Sequence, residues 1–232
     1  MHISAALIVT VCIVFAGVAH ASALLQRQTK YYSSFWTDNG ETVSYKNGAG
    51  GQFSVTWSGT KGNFVCGKGW NTGSARYASP QRCYLYMHRA NLTCSLFREV
   101  KFNGTFETQG NSYLAIYGWT TNPLVEYYII ENYGSHIPYD TPEAEFKGNV
   151  TSDGDSYIIF TKMRKNKPSI QGTATFAQYW SVRNSKRSEG TVSTGNHFKA
   201  WQESGLKIGR HNYMIVAVEG QGSNGTANIV VS

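Results

Sequence analysis

Two glutamates interrupt runs of residues that otherwise favour β-strands. Glu126 lies in PLVEYY and Glu219 in IVAVEG, and aromatic residues or glycines flank both. A strand glutamate most often points to solvent. In this chain, however, only 15% of the residues are charged and 14% are aromatic. Two carboxyl groups in an aromatic groove can cleave a glycosidic bond. One acid is protonated and donates its proton to the leaving oxygen, while the other acid stays ionised.

The stretch NPLVEYYIIENYG, residues 122–134, contains a second acid, Glu131, five residues after Glu126. An odd separation places two side chains on opposite faces of a strand. We therefore expect Glu126 to share its face with Tyr128 and to look into the site. Glu131 should lie behind that face as a hydrogen-bonded structural acid.

The elements that position these acids are predominantly strands. GGQFSVTWSG alternates apolar and polar residues, and Gly, Asn, Asp and Ser clusters punctuate the similar runs that follow it. One segment, STGNHFKAWQESGLKIG, instead spaces Phe198 and Trp201 as a helix does, with a cap at Ser193, Thr194 or Asn196 and an end at Gly205. The fold class predicted is all-β: a β-jelly roll of two twisted antiparallel sheets that form a cleft, with one short α-helix.

Several motifs do not indicate a cofactor or a metal. GQGSNG (residues 220–225) matches a dinucleotide fingerprint but leads into a strand, so a hairpin turn is predicted there. GNFVCGKG (residues 62–69) lacks the final Ser or Thr of a P-loop. The six histidines are scattered and no cysteine pair has metal-ligand spacing. We expect neither a cofactor nor a metal.

The net charge of +7 is spread along the chain without a Lys/Arg run, which argues against a nucleic-acid partner.

Residues 1–21 have the short apolar stretch of a secretory signal peptide, and residues 22–30 can be a pro-segment. No second apolar stretch reaches membrane-spanning length. We therefore expect a secreted, extracellular monomer with no membrane contact after cleavage, formed by one catalytic domain over residues 31–232.

Six motifs together resemble one family. From about Tyr31 to Ser232 the chain is similar, in order, to glycoside hydrolase family 11, the endo-1,4-β-xylanases. The resemblance implies a jelly roll shaped like a partly closed right hand that holds xylan in its cleft and hydrolyses internal bonds with retention of configuration. The motifs are GGQFSVTWSG, GNFVCGKGW, NSYLAIYGW, PLVEYYIIENYG, PSIQGTATFAQYWSVR and IVAVEGQGSNGTA.

The resemblance also assigns roles to residues. Glu126 resembles the family's nucleophile and Glu219 its acid/base, a pair that should lie about 5–5.5 Å apart. Asn63 matches the position beside the acid/base; because it is uncharged and cannot share a proton, a mildly acidic to near-neutral optimum is expected. The positions that resemble substrate contacts are Trp36, Tyr117, Tyr128, Arg164, Pro168 and Gln178.

Two other functions are compatible with a jelly roll. The chain can be a β-glucanase of the same architecture, which a comparison of xylan with soluble cellulose would distinguish. It can also be a polysaccharide-binding lectin that does not cut. The presence of both catalytic glutamates argues against the lectin.

Residues 77–98 interrupt the resemblance, and their removal joins Arg76 to Glu99 without a gap. We hypothesise that they are a translated, retained intron, because their codons can encode donor, branch and acceptor sequences and their 22 codons preserve the reading frame. The alternative is a genuine insertion loop closed by a Cys83–Cys94 disulfide. The mature transcript distinguishes the two.

Three N-x-S/T sequons, at Asn103, Asn149 and Asn224, fall on segments predicted to be turn-like. In a secreted protein they are candidate glycosylation sites. A fourth sequon, at Asn91, lies within residues 77–98.

Overall fold

Two long antiparallel strands, β5 and β11, run through the centre of the sheet. The computed structural model describes residues 31–73 and 97–232. Strand β11 pairs with β5 over most of its length, with β4 in its first half and with β3 in its second half. The elements are β1 Tyr32–Thr37, β2 Thr42–Asn47, β3 Gln52–Ser58, β4 Asn63–Asn71, β5 Glu99–Thr121, β6 Val125–Tyr133, β7 Glu145–Ser152, β8 Asp155–Ser169, β9 Gly172–Arg183, β10 Gly190–Ser193, α1 Thr194–Glu203 and β11 Arg210–Val231.

The strand order is β1-β4-β11-β5-β6-β9-β8-β7, with β10 on β5, β3 on β11 and β2 on β3. The predicted all-β fold with one short helix is confirmed for the described residues. One pairing departs from the expected antiparallel sheets: β6 and β9 run parallel. The chain leaves β6, forms β7 and β8, and returns beside β6 in the same direction.

The hairpin turn predicted for residues 220–225 is wrong, because this segment lies inside β11. The register against β5 shifts between Gln221 and Asn224, and Gly222 has a φ of +57°. Glycine adopts this left-handed conformation at little cost. The glycines therefore form a bulge at which β11 passes from β4 to β3.

The three sequons also lie in strands rather than in turns: Asn103 in β5, Asn149 in β7 and Asn224 in β11. The Asn103-Gly104 pair is compatible with a turn, but Gly104 serves close strand packing. A Cβ at Gly104 would lie 1.9 Å from the Asn228 carbonyl oxygen. All three asparagines are exposed, and their glycosylation stays a prediction.

Alternation along the strands divides the apolar side chains between two faces. One face forms the main core, in which helix α1 buries Phe198 and Trp201 completely against the sheet. The other face forms an aromatic floor that includes Tyr117, Tyr128 and Trp180. The cavity described below opens on this second face.

Helix α1 begins after Ser193, one of the three residues predicted as its cap, and Gly205 follows its end with a φ of +79°. The Ser193 hydroxyl does not cap the helix, because it donates instead to Asp153 Oδ1 at 2.7 Å. Within the described ranges, no helix is long and apolar enough to cross a membrane. The expected signal peptide, the pro-segment and most of residues 77–98 lie outside the described residues, and of the last only Phe97 and Arg98 are included.

Candidate active site

A cavity of about 400 Å³ opens on the aromatic face of the sheet. All residues that the sequence nominated contribute to its lining. They come from β1, β4, β5, β6, β8, β9 and β11, and no short segment of the chain could form the site alone. The nominated residues that line it are Trp36, Asn63, Tyr117, Glu126, Tyr128, Arg164, Pro168, Gln178 and Glu219.

Strand β6 holds Glu126 between β5 and β9, in register with Gln178 on β9. The carboxyl group is buried and accepts three hydrogen bonds. Tyr117 Oη and Tyr128 Oη donate to Oε1 at 2.8 and 3.1 Å, and Gln178 Nε2 donates to Oε2 at 2.6 Å. Burial raises the pKa of Glu126, but these donors and the nearby Arg164 charge oppose the rise. Three donors directed at one carboxylate favour its ionised form.

Glu219 lies on β11, in register with Val65 on β4 and Tyr113 on β5. Burial, followed by the charge of Glu126, raises the pKa of Glu219 to about 8, although Tyr128 and Asn63 act to lower it. Among the described residues, its Oε2 has no hydrogen-bond partner. At neutral pH Glu219 therefore carries a proton and leaves one oxygen free to donate it.

Trp180 is a site residue that the motif reasoning did not nominate. Its ring stacks on Tyr128 with centroids 3.9 Å apart and planes inclined by 5°. The alternation in GTATFAQYWSV contained the signal, because Phe176, Gln178 and Trp180 fall on one face of β9. Other lining residues missed in the same way are Tyr32, Tyr113, Trp119, Lys162, Lys167, Tyr213 and Gln221.

Glu131 lies on the opposite side of the sheet from Glu126, as the odd spacing predicted. It is almost fully buried, accepts a hydrogen bond from Tyr157 Oη at 2.8 Å and forms an ion pair with Arg187. It does not line the cavity. The predicted place of Glu131, behind the cleft and hydrogen-bonded, is confirmed.

A metal has no evident place near these acids. Across residues 31–73 and 97–232, no three His, Cys, Asp or Glu side chains are grouped so that they could hold one. Cys66 is buried in the main core and unpaired, and burial raises the pKa of its thiol well above the ordinary value.

The fold and this pair of acids define a class. Three hydrogen-bond donors favour the ionised form of Glu126, and burial favours the protonated form of Glu219, at the floor of an aromatic cleft. This is the division of labour of the two carboxyl groups in a glycoside hydrolase.

Comparisons with known proteins agree with this class. A profile of the glycosyl hydrolases family 11 matches residues 28–230. The chain is 52% identical to an ethylene-inducing xylanase of Penicillium digitatum and 51% identical to endo-1,4-beta-xylanase 2 of Rhizopus oryzae, in each case over 87% of this chain and 82% of the relative. A solved structure of an endo-1,4-beta-xylanase from Trichoderma reesei superposes with a TM-score of 0.72 at 44% identity, over 87% of this chain and 97% of that one. The chain belongs to glycosyl hydrolase family 11.

Proposed function

We propose that the protein is an endo-1,4-β-xylanase that hydrolyses internal bonds of xylan with retention of configuration. The observation that carries this proposal is the contrast between the hydrogen-bonded Glu126 and the protonated Glu219 in one cleft. The relatives named above are xylanases, which supports the choice of substrate over the β-glucan alternative. The alternative of a lectin gives no reason to hold two acids in different protonation states.

In the first half-reaction, a Glu126 oxygen attacks the anomeric carbon while the bond to the leaving sugar breaks. Glu219 donates its proton to the departing glycosidic oxygen. The products are a glycosyl ester on Glu126 and a shortened chain with a free hydroxyl. The ionised Glu219 remains.

In the second half-reaction, the ester has removed the negative charge of Glu126. That charge is one of the causes that raise the pKa of Glu219, so the pKa falls once the ester forms. Glu219 then accepts a proton from water, whose oxygen attacks the anomeric carbon and releases Glu126. Two inversions give net retention.

The remaining nominated residues are assigned to binding. Trp36 is 40% exposed at the cleft, where its ring can stack on a sugar face. Pro168 lies on the β8–β9 tip that faces the cleft. Trp119 Nε1 donates to Tyr117 Oη at 2.7 Å, which orients the Tyr117 hydroxyl toward Glu126. Xylan is the partner expected; a monomer is sufficient, because one chain supplies every residue of the site described here.

Secretion is part of the proposal. It rests on the apolar N-terminal stretch and the small residues after it, in residues 1–21. A polymeric substrate that cannot enter a cell also calls for an extracellular enzyme.

The assignment is tested with Glu126→Gln and Glu219→Gln, and with the exposed strand acid Glu107→Gln as a matched control. Each active-site variant should lose at least about 10²-fold in kcat/KM on neutral linear xylan, and Glu107→Gln should lose nothing. NMR of the first product should show the β-anomer. Hydrolysis of soluble cellulose in preference to xylan, or full activity of either active-site variant, would overturn the assignment.

A further inference from the structure

One side of the cleft carries an unusual concentration of positive charge. Lys162, Arg164 and Lys167, all on β8, line the cavity, and we call these three residues the basic wall. Among the described residues, none of the three lies within 4.0 Å of a carboxylate. The opposite side is lined by uncharged residues such as Trp36 and Gln221.

A β-bulge places Lys167 on this wall. Simple alternation after Arg164 would turn Asn166 toward the cleft and Lys167 away from it. The register against β9 shifts between Arg164 and Lys167, where Asn166 has a φ of +51°. Lys167 therefore pairs with Ala174, two positions before Phe176 on the cleft face, while Lys165 is exposed and absent from the lining.

Lys162 is fixed close to the reacting groups. Lys162 is in register with Gln178, and Gln178 is in register with Glu126. The backbones of Lys162 and Glu126 therefore lie two strand spacings, about 10 Å, apart. Lys162 Nζ donates to the Pro138 carbonyl at 2.8 Å and lies 5.3 Å from the ring centroids of Phe160 and Trp180. In the part of the chain that the structure describes, two of its three N–H donors have no acceptor.

The charges in the cleft do not balance. The three basic side chains of the wall share the cavity lining with two acids, Glu126 and Glu219, and burial raises the pKa of Glu219 to about 8, which favours its neutral form at neutral pH. Burial lowers the pKa of Lys162, although the charge of Glu143 raises it. A partly desolvated ammonium gains more from an anionic ligand than a fully hydrated one does. An unsubstituted xylan chain is uncharged and offers no such ligand.

We propose that the basic wall binds carboxylate side groups of the polysaccharide, so that the preferred substrate is xylan carrying uronic-acid substituents. This inference rests on the proposed xylanase function and specifies, in addition, that the preferred xylan is negatively charged. Lys162 recognises a substituent near the cleaved bond, and Lys167 recognises one nearer the β8–β9 tip. Both act as specificity residues rather than as catalytic ones.

The test compares uronic-acid-substituted xylan with the same xylan after reduction of its carboxyl groups to alcohols, which keeps the branches and removes the charge. The measured quantity is the ratio of kcat/KM on the acidic to that on the reduced substrate. In the unmodified enzyme the ratio should exceed one. It should fall about two- to fivefold in Lys162→Gln and in Lys167→Gln, and by about tenfold in the double variant, as expected for partly exposed ion pairs.

Lys165→Gln is the matched control, since it removes the same charge from the same strand outside the cleft. Its ratio should equal that of the unmodified enzyme. Raising the ionic strength from about 0.01 to 0.15 M, which shortens the screening length from about 30 to about 8 Å, should also lower the ratio.

Two results overturn the inference while leaving the xylanase assignment intact. One is an equal kcat/KM on the acidic and reduced substrates. The other is a ratio that falls as much in Lys165→Gln as in Lys167→Gln, since this would reflect attraction by net charge alone. Absence of activity on both substrates would instead overturn the proposed function.

Discussion

The Tyr128 hydroxyl adjoins both carboxyl groups of the site. It donates to Glu126 Oε1 at 3.1 Å, and its proximity also lowers the pKa of Glu219. The ring is held flat against Trp180, so the hydroxyl has little freedom to move away. One phenol thus influences the nucleophile and the acid together.

Tyr128→Phe keeps the stacked ring and removes this hydroxyl. The pKa of Glu126 should rise, because one donor to its ionised form is lost. The pKa of Glu219 should rise as well, because the neighbouring hydroxyl lowers it in the unmodified enzyme. Glu126 must be ionised and Glu219 protonated, so both limbs of the pH profile of kcat/KM should move to higher pH. Tyr139→Phe, outside the cavity, is the control. A profile that loses height without shifting would contradict this account.

The charge of Glu126 contributes to the high pKa of Glu219, which predicts the effect of neutralising it. In Glu126→Gln the pKa of Glu219 should fall from about 8, and ¹³C NMR titration of the carboxyl group measures this without any need for activity. In the unmodified enzyme, kcat/KM should decline as pH rises through about 8, because Glu219 loses its proton. A Glu219 titration that is the same in both proteins would show that the two acids are not coupled.

Asn63 supplies an uncharged neighbour to Glu219, and its buried Oδ1 has no hydrogen-bond partner in residues 31–73 and 97–232. Asn63→Asp would add a second acid there, so that the introduced carboxyl group and Glu219 titrate as a pair. The resemblance to family 11 predicts that the optimum then moves toward acid. The pH dependence of kcat/KM measures the shift, with the exposed Asn228→Asp as the control. An unchanged profile would count against a pH-tuning role for Asn63.

Glu131 is expected to affect stability rather than chemistry. Glu131→Gln leaves Arg187 without its buried partner and weakens the hydrogen bond from Tyr157. Loss of one member of a buried pair costs about 3 kcal/mol, or roughly 6–12 °C in Tm for a domain of this size. Thermal unfolding measures this, and kcat/KM below the transition should be retained. Glu203→Gln, which breaks the exposed pair with Lys199, should shift Tm little. Equal shifts in the two variants would contradict the structural role.

Local pattern was sufficient for some features of the site and insufficient for others. The faces of Glu126 and Glu131 follow from strand alternation, which depends only on neighbouring residues. The bulges at Gly222 and Asn166 do not, because an Asn or Gly cluster is compatible with a turn or with a bulge. Pairing with a distant strand decides between them: β5 keeps residues 220–225 in a strand, and β9 turns Lys167 into the cleft. Sequence patterns therefore placed Glu126 and Glu131 on their faces correctly, whereas they did not place Lys167 in the cleft.

The end of residues 77–98 is in contact with the rest of the fold. The Phe97 ring packs edge-on against Phe198 at 5.4 Å, and the Arg98 guanidinium lies 4.2 Å over the Trp70 ring. The Thr194 hydroxyl donates to the Arg98 carbonyl at 2.6 Å. These contacts have to be replaced if the segment is absent from the mature protein.

Deletion of residues 77–98 places Arg76 directly before Glu99, in the position that Arg98 occupies. An arginine then remains available to stack on Trp70, and the backbone carbonyl remains available to Thr194. Of the contacts described above, the one made by the Phe97 ring is lost. We expect the shortened protein to fold, to melt no lower than the full chain, and to keep kcat/KM on xylan. Deletion of residues 76–98, which removes the arginine as well, is the control and should lower Tm. A shortened protein that fails to fold, beside an active full chain, would identify residues 77–98 as a genuine part of the enzyme.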